Sequence, residues 1–219
     1  MEQYLERAIE MNNATSLPVI ADCSLGYRDN DNILEMVRRY ELAGIAAVTI
    51  EEKKLPKSNS LLSRQQELVP KKEFAYAIRT IKAQRKKAGV ILIARVEAFI
   101  AGKGLGEALA HAAAYADAGA DVILIHSRSP KPDEIIRFTK QWKRAVPLAV
   151  IPTTYYGITA KKLQQIGIKM VIYANHGLRA EIKAVGKTFK AIVETGSSVS
   201  VEGSIASIKD IFSLQRPPR

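Results

Sequence analysis

Ile45-Ala46-Ala47-Val48-Thr49-Ile50, followed at once by Glu51-Glu52-Lys53-Lys54-Leu55-Pro56-Lys57-Ser58-Asn59-Ser60-Leu61, is the stretch on which the reading of this chain turns. The apolar half reads as a buried strand, so the Glu51 carboxylate emerges at the strand's end. The half after it carries Lys, Asn and Ser on a Pro-stiffened loop with no apolar periodicity. A strand-end acid beside a cationic loop suits a metal with an anionic ligand. Hard cations take oxygen donors, and the loop supplies hydrogen-bond donors for phosphate or carboxylate. A solvated surface turn carries the same composition.

Short apolar runs of the same kind occur at 18–22, 90–96, 121–126, 147–152 and 170–174. Between most of them lie stretches with helical spacing, such as Asn32 to Ala43 and Leu105 to Ala118, each followed by a glycine (Gly44, Gly119) suited to a helix C-terminus. Strands apolar throughout, alternating with helices, predict parallel βαβ units covered on both faces. The repeat fits a (β/α) barrel or a doubly wound sheet. Asp22, Glu51, Arg95, His126, Thr153 and Asn175 all fall at strand C-terminal ends, the edge where both architectures place their sites.

The loop resembles that of phosphoenolpyruvate mutases, in the isocitrate lyase superfamily, which carry Glu-Asp-Lys, a few residues, then Pro-Lys-x-Asn-Ser. Further stretches match that family in order: Arg95 to Gly102 (RVEAFIAG), Ala118 to Ser127 (AGADVILIHS), Ile151-Pro152-Thr153, Tyr173-Ala174-Asn175-His176 and Ile211 to Arg216. The resemblance runs from about Pro18 to Arg216. It implies a (β/α)8 TIM-type barrel, of about 250 residues when complete. Six strands are readable in these 219 residues, and in the family two more precede the one ending at Asp22. The expectation is therefore a single α/β barrel domain over 1–219, C-terminal helices included, without its first two strands.

Asp22 and Glu51 end consecutive strands, which brings their carboxylates toward one point; Asp22 by itself also suits a strand-end cap or turn, and the resemblance implies that the two are Mg2+ ligands. Magnesium needs only one or two protein carboxylates beside its waters and ligand oxygens. The family has Asp-x-Asp where this chain has Asp22-Cys23-Ser24, so Ser24 is at most a group orienting a metal-bound water. Glu52 stands where the family usually has Asp and is expected near a cation. The resemblance assigns Arg95 and His126 to the transferring group and the enolate oxygen, Lys57 and Asn59 to catalysis from the loop, and Ser60 and Leu61 to substrate binding. By spacing alone, Arg95 suits a salt bridge to Glu97 or to a neighbouring strand's acid, and His126 a hydrogen-bonded core residue. His176 is a weaker candidate, and His111, on an alanine-rich helix, reads as structural.

The implied activity is that of a Mg2+-dependent isomerase interconverting phosphoenolpyruvate and phosphonopyruvate, within phosphonate biosynthesis. A phosphonopyruvate hydrolase, a carbon–carbon lyase of a related 2-oxo acid, and an inactive partner subunit stay open. Cys23 lacks the lysine-lysine-cysteine-glycine-histidine loop of isocitrate lyases, and Gly102 to Gly106 matches neither a dinucleotide fingerprint nor a P-loop.

The hydrophobic fraction of 47% supports one sizeable core. The net charge of +11 is scattered along the chain, aromatics are 6%, and nucleic-acid-binding signatures are absent, so the positive field suits a small anionic substrate. The densest basic run, Arg79 to Ala88, reads as a solvated face. No run approaches the about 20 apolar residues that span a bilayer, and the start, MEQYLERAIEM, reads as a helix. A single cysteine suits a reducing cytoplasm. Ile205, Ile208, Ile211 and Phe212 form a helical stripe that by itself suits a helix folded back on its own barrel as well as a subunit contact; in the resembling family helices here pack against a neighbouring subunit, which implies a homodimer or homotetramer.

Overall fold

The protein is described by a computed structural model over residues 2–23, 30–54, 56, 59–62, 66–84 and 89–214. Ser24, Leu55, Lys57 and Ser58, all singled out in the sequence, lie outside the described residues. Two compact units divide the chain, Met1–Tyr173 and Ala174–Arg219, at a boundary that no Pro/Gly/Ser-rich linker announces.

The first unit holds six parallel strands paired in sequence order: β1 (Ile20–Asp22), β2 (Ala47–Glu51), β3 (Ile91–Val96), β4 (Val122–Ile125), β5 (Leu148–Val150) and β6 (Ile168–Val171). The helices of this unit are α1 (Glu2–Ala14), α2 (Asn30–Leu42), α3 (Lys71–Gln84), α4 (Gly104–Asp117), α5 (Asp133–Gln141) and α6 (Ala160–Gln165). The sheet curls into a half-barrel of the TIM-type fold that the sequence predicts.

Strand alternation separates two apolar layers. Val48, Ile50, Leu92, Ala94, Val96, Ile123, Ile125, Leu148 and Val150 join one buried cluster with helix residues such as Met36, Ile78, Tyr115 and Phe138. The alternate residues stand outside that cluster, in rows fixed by register. Thr49, Ile93 and Val122 form one row. Glu51, Arg95, Leu124 and Ala149 form the next, toward the strand C-termini. Thr49, Ile93 and Leu124 are themselves buried, so that second face is packed below its polar rim.

Gly44 (φ +75°) and Gly119 (φ +102°) close α2 and α4 in the left-handed region, as the sequence predicts. The N–H groups of Ile45 and Ala120 donate back to the carbonyls of Tyr40 and Tyr115, at 3.1 and 3.0 Å, the six-to-one bond of a Schellman cap. A Cβ at Gly119 would also meet Lys82 Cγ at 3.2 Å. Lys82 itself departs from the solvated-face reading of the basic run. It donates to Asp121 Oδ1 at 2.7 Å, while Asp121 Oδ2 accepts the Leu92 N–H at 2.8 Å. Arg79 is exposed as expected.

The second unit comprises α7 (His176–Thr195), a 3-10 turn (Glu202–Ser204) and α8 (Ile208–Leu214). Leu178, Ile182, Val185, Phe189 and Val193 recur along α7 at three- and four-residue spacing, and every one is exposed. Ile205, Ile208, Ile211 and Phe212, the stripe read from the sequence, are exposed as well. Among the described residues no helix is long and apolar enough to cross a membrane.

Candidate active site

The C-terminal edge of the sheet carries a cluster of charged residues that the core would otherwise exclude. Glu51 and Lys53 are two residues apart, as are Arg95 and Glu97, and strand periodicity puts each pair on one face. Glu97 is fully buried, and the side chains of Glu51 and Lys53 are 3% and 4% exposed. Uncompensated charges at that depth would neutralise or move to solvent, so their mutual contacts are obligatory.

Arg95 is the hub. Its Nε bonds Glu97 Oε1 and lies 3.5 Å from Glu51 Oε2, and its Nη1 lies 3.6 Å from Asp22 Oδ2. Its Nη2 donates to Ser60 Oγ at 3.3 Å and stands 2.8 Å from His126 Nδ1. Burial works against the guanidinium's charge, but Glu97, Glu51 and Asp22 outweigh it and raise its pKa. Lys53 bonds Ser60 Oγ and lies 3.7 Å from both Glu51 and Glu97. Ser60, in turn, donates to Glu97 Oε2 at 3.3 Å.

Burial pushes the Glu97 carboxyl up. The His126 hydrogen bond and the charges of Arg95, His126 and Lys53 more than reverse this and hold it at about 2. His126 Nδ1 is 2.8 Å from Glu97 Oε1. One ring nitrogen cannot both donate to Glu97 and accept from Arg95, and the ionised carboxylate assigns the proton to Nδ1. Among the described residues Nε2 has no partner, so it is the nitrogen left for a ligand.

Residues 66–69 fold back antiparallel to 52–54 and close the base of the loop that carries Ser60. Lys54 N–H donates to Glu67 O at 2.9 Å, and Val69 N–H donates to Glu52 O at 2.8 Å. Asn59 is exposed, and its Oδ1 accepts the Leu61 N–H at 2.9 Å, so it shapes the turn that presents Ser60. Leu61 is exposed on the same turn.

The structure thus brings together Asp22, Glu51, Ser60, Arg95 and His126 of the residues named from the sequence. It adds Lys53, which sequence reasoning passed over, and Glu97, which the sequence named only as a salt-bridge partner of Arg95. The signal for both was present: each sits two residues beyond a named strand-end residue, on the same face. Thr153 follows β5, and its hydroxyl is buried with no partner among the described residues. Asn175 (φ +67°) and His176 lie in the second unit, beyond the end of β6. Cys23 is half-buried; burial pushes its thiol up to about 11, with Tyr40 lowering and Asp22 raising it, so it stays protonated and non-nucleophilic.

Glu52 is not engaged by Arg95 or Lys53 among the described residues: its carboxylate takes the Glu97 N–H, His111 and Tyr115 as partners. As metal donors, Asp22 and Glu51 offer two carboxylates that already converge on one guanidinium, a set that suits Mg2+. Among the described residues no group of three or more His, Cys, Asp or Glu could hold a metal.

A strand-end site that joins Lys53, Arg95 and His126 to Asp22, Glu51 and Glu97 on a TIM-type half-barrel has counterparts among known proteins. The family model for phosphoenolpyruvate phosphomutase matches residues 1–193. The chain is 42% identical over 214 residues to the phosphoenolpyruvate phosphomutase of Tetrahymena pyriformis, covering 97% of this chain and 71% of that protein. The crystal structure of phosphoenolpyruvate phosphomutase from Streptomyces platensis subsp. rosaceus superposes with a TM-score of 0.93 at 47% identity, over 96% of this chain and 73% of that one. A phosphonopyruvate hydrolase complexed with oxalate and Mg2+ superposes with a TM-score of 0.90 at 39% identity, over 98% and 74%. With its half-barrel, the polar rim at its strand ends and this breadth of similarity, the chain belongs to the phosphoenolpyruvate phosphomutase family.

Proposed function

We propose that the chain is a phosphoenolpyruvate phosphomutase, moving a phosphoryl group between the enolate oxygen of phosphoenolpyruvate and the methylene carbon of phosphonopyruvate. The observation that carries the reading is the buried set Lys53, Ser60, Arg95, Glu97 and His126, joined by the contacts described above. The rearrangement breaks one bond to phosphorus and makes another within the same molecule, with no net gain or loss of a proton. Its transition state spreads negative charge over the phosphoryl oxygens, so fixed donors and cations provide most of the catalysis.

Arg95 offers a planar fork to the migrating phosphoryl. Ser60 and Lys53 add a hydroxyl and a point charge from the loop side. His126 stands beside Arg95 at the transferring group, held in orientation by Glu97, with Nε2 unprotonated in this tautomer and able only to accept a hydrogen bond. Asn59 sets the turn that aims Ser60, Leu61 borders it, and Lys57 adds charge from the same loop. Asp22 and Glu51 would hold Mg2+, which polarises the oxygens of the 2-oxo acid when bound. Exposed apolar faces on α7 and α8 support a homo-oligomer.

Hydrolysis of phosphonopyruvate is the second reading, favoured by the close superposition on the hydrolase. Phosphorus-31 NMR of phosphonopyruvate with protein and Mg2+ separates them. The mutase converts the phosphonate resonance to a phosphate ester with no free phosphate. Pyruvate plus inorganic phosphate in equal amounts would instead establish the hydrolase.

A further inference from the structure

Behind the site, on the helix-facing side of the sheet, three buried polar residues meet where apolar packing would be expected. Glu52, His111 and Tyr115 are at most 4% exposed. Glu52 Oε1 accepts the backbone N–H of Glu97 at 2.8 Å. Glu52 Oε2 lies 2.6 Å from His111 Nδ1 and accepts a hydrogen bond from the Tyr115 hydroxyl. His111 Nε2 lies 3.4 Å from Glu107 Oε2, and Tyr115 packs edge-on against Phe74, ring centroids 4.7 Å apart.

The place of this carboxylate in the ladder is informative. β3 ends at Val96, which pairs with Ile125 of β4, so Glu97 is the first residue past the paired register. Its N–H goes to the Glu52 side chain in place of a neighbouring strand's carbonyl. One residue thereby fixes the backbone from which the Glu97 carboxylate reaches Arg95, His126 and Ser60. Burying a carboxylate under α4 brings no stability that apolar residues of similar size would not match. A carboxylate retained there has a geometric reason.

We propose that Glu52, clamped by His111 and Tyr115, is a positioning residue for the reaction: it sets where the Glu97 carboxylate stands and so acts through Glu97 on Arg95 and His126. None of the three touches the reacting atoms. Burial and the adjoining Glu52 charge raise the Tyr115 pKa, which keeps its hydroxyl a donor to the clamp. The inference rests on the phosphomutase reading, and its test has one readout that does not depend on it.

The test uses the full chain as wild type, Glu52→Gln and Tyr115→Phe. At fixed pH, nitrogen-15 NMR of the imidazoles reports the His126 tautomer, and with three histidines in the chain the resonances are assignable. The wild type carries its proton on Nδ1, and both variants are expected to show a mixture as Glu97 loosens. For phosphonopyruvate, kcat is expected to fall about tenfold with KM within about twofold, the mark of an interaction used in the transition state. Melting temperatures should shift by only a few degrees for Tyr115→Phe, which decides the matter if Glu52→Gln does not fold. The proposal is overturned if the His126 signature stays as in the wild type, or if an active wild type loses no kcat in the variants. A wild type without turnover refutes the phosphomutase reading, and the NMR signature then judges the positioning role alone.

Discussion

Glu97 Oε1 stands 2.8 Å from His126 Nδ1, a bond between the ends of neighbouring strands that orients the imidazole of the site. The same carboxyl is held at about 2, below its ordinary 4.5, by His126, Arg95 and Lys53 against the opposing effect of burial. A folded value below the unfolded one contributes stability that is complete above the unfolded pKa. That contribution disappears as pH falls from about 4.5 toward about 2. Melting temperature is therefore expected to drop through this window, and Glu97→Gln to drop less steeply. A variant that reproduces the wild-type pH profile would contradict this account.

Arg95→Lys keeps the charge but removes the fork that spans Glu97, Ser60 and His126. A lost charge-assisted bond to the transition state costs about 2–3 kcal/mol, so kcat/KM for phosphonopyruvate should fall roughly 100-fold. Steady-state kinetics with coupled pyruvate and phosphoenolpyruvate assays check it. A change below threefold would show that charge alone suffices.

Magnesium should raise the melting temperature by mass action, by about 2.7 kcal/mol of stability at 100 times its dissociation constant. Asp22→Ala should abolish the shift, since it removes one of the two convergent carboxylates, and Ser24→Asp should enlarge it. Differential scanning fluorimetry with and without Mg2+ reads both. An Asp22→Ala protein that still responds as the wild type does would move the metal elsewhere.

The apolar stripe of α7 is expected to be covered by another copy of the chain. Phe189 is 63% exposed and Ile182 64%, a large uncovered apolar area for a protein in water. Light scattering should find a dimer or tetramer at micromolar concentration, and Ile182→Glu with Phe189→Glu should yield monomers. A monodisperse wild-type monomer would refute the prediction.

Six strands were legible because buried parallel strands are apolar runs; their pairing in sequence order was not, since the runs alone left a doubly wound sheet open and only the family resemblance implied a barrel. Gly44 and Gly119 were legible as helix ends for a local reason, the positive φ that a Schellman cap requires. Asp22, Glu51, Arg95 and His126 were legible as strand-end residues, and their resemblance to a family gave them roles. Lys82 was misread as solvated because helical spacing alone does not reveal Asp121, whose carboxylate stands 2.7 Å from its ammonium.

What the amino-acid order by itself determined was local: where each strand and helix runs, and which polar residues stand at the strand ends. Tertiary structure decided which way neighbouring acids point. Glu51 and Glu52 are adjacent and chemically alike, yet one joins Arg95 and Lys53 while the other joins His111 and Tyr115. Alternation along a strand guarantees that they diverge, but only the packing of α4 against β3 and β4 makes one direction the site and the other its support. Lys53, Ser60, Glu97 and His126 meet for the same reason, since burial of each charge became affordable only once the other strands had supplied its partners.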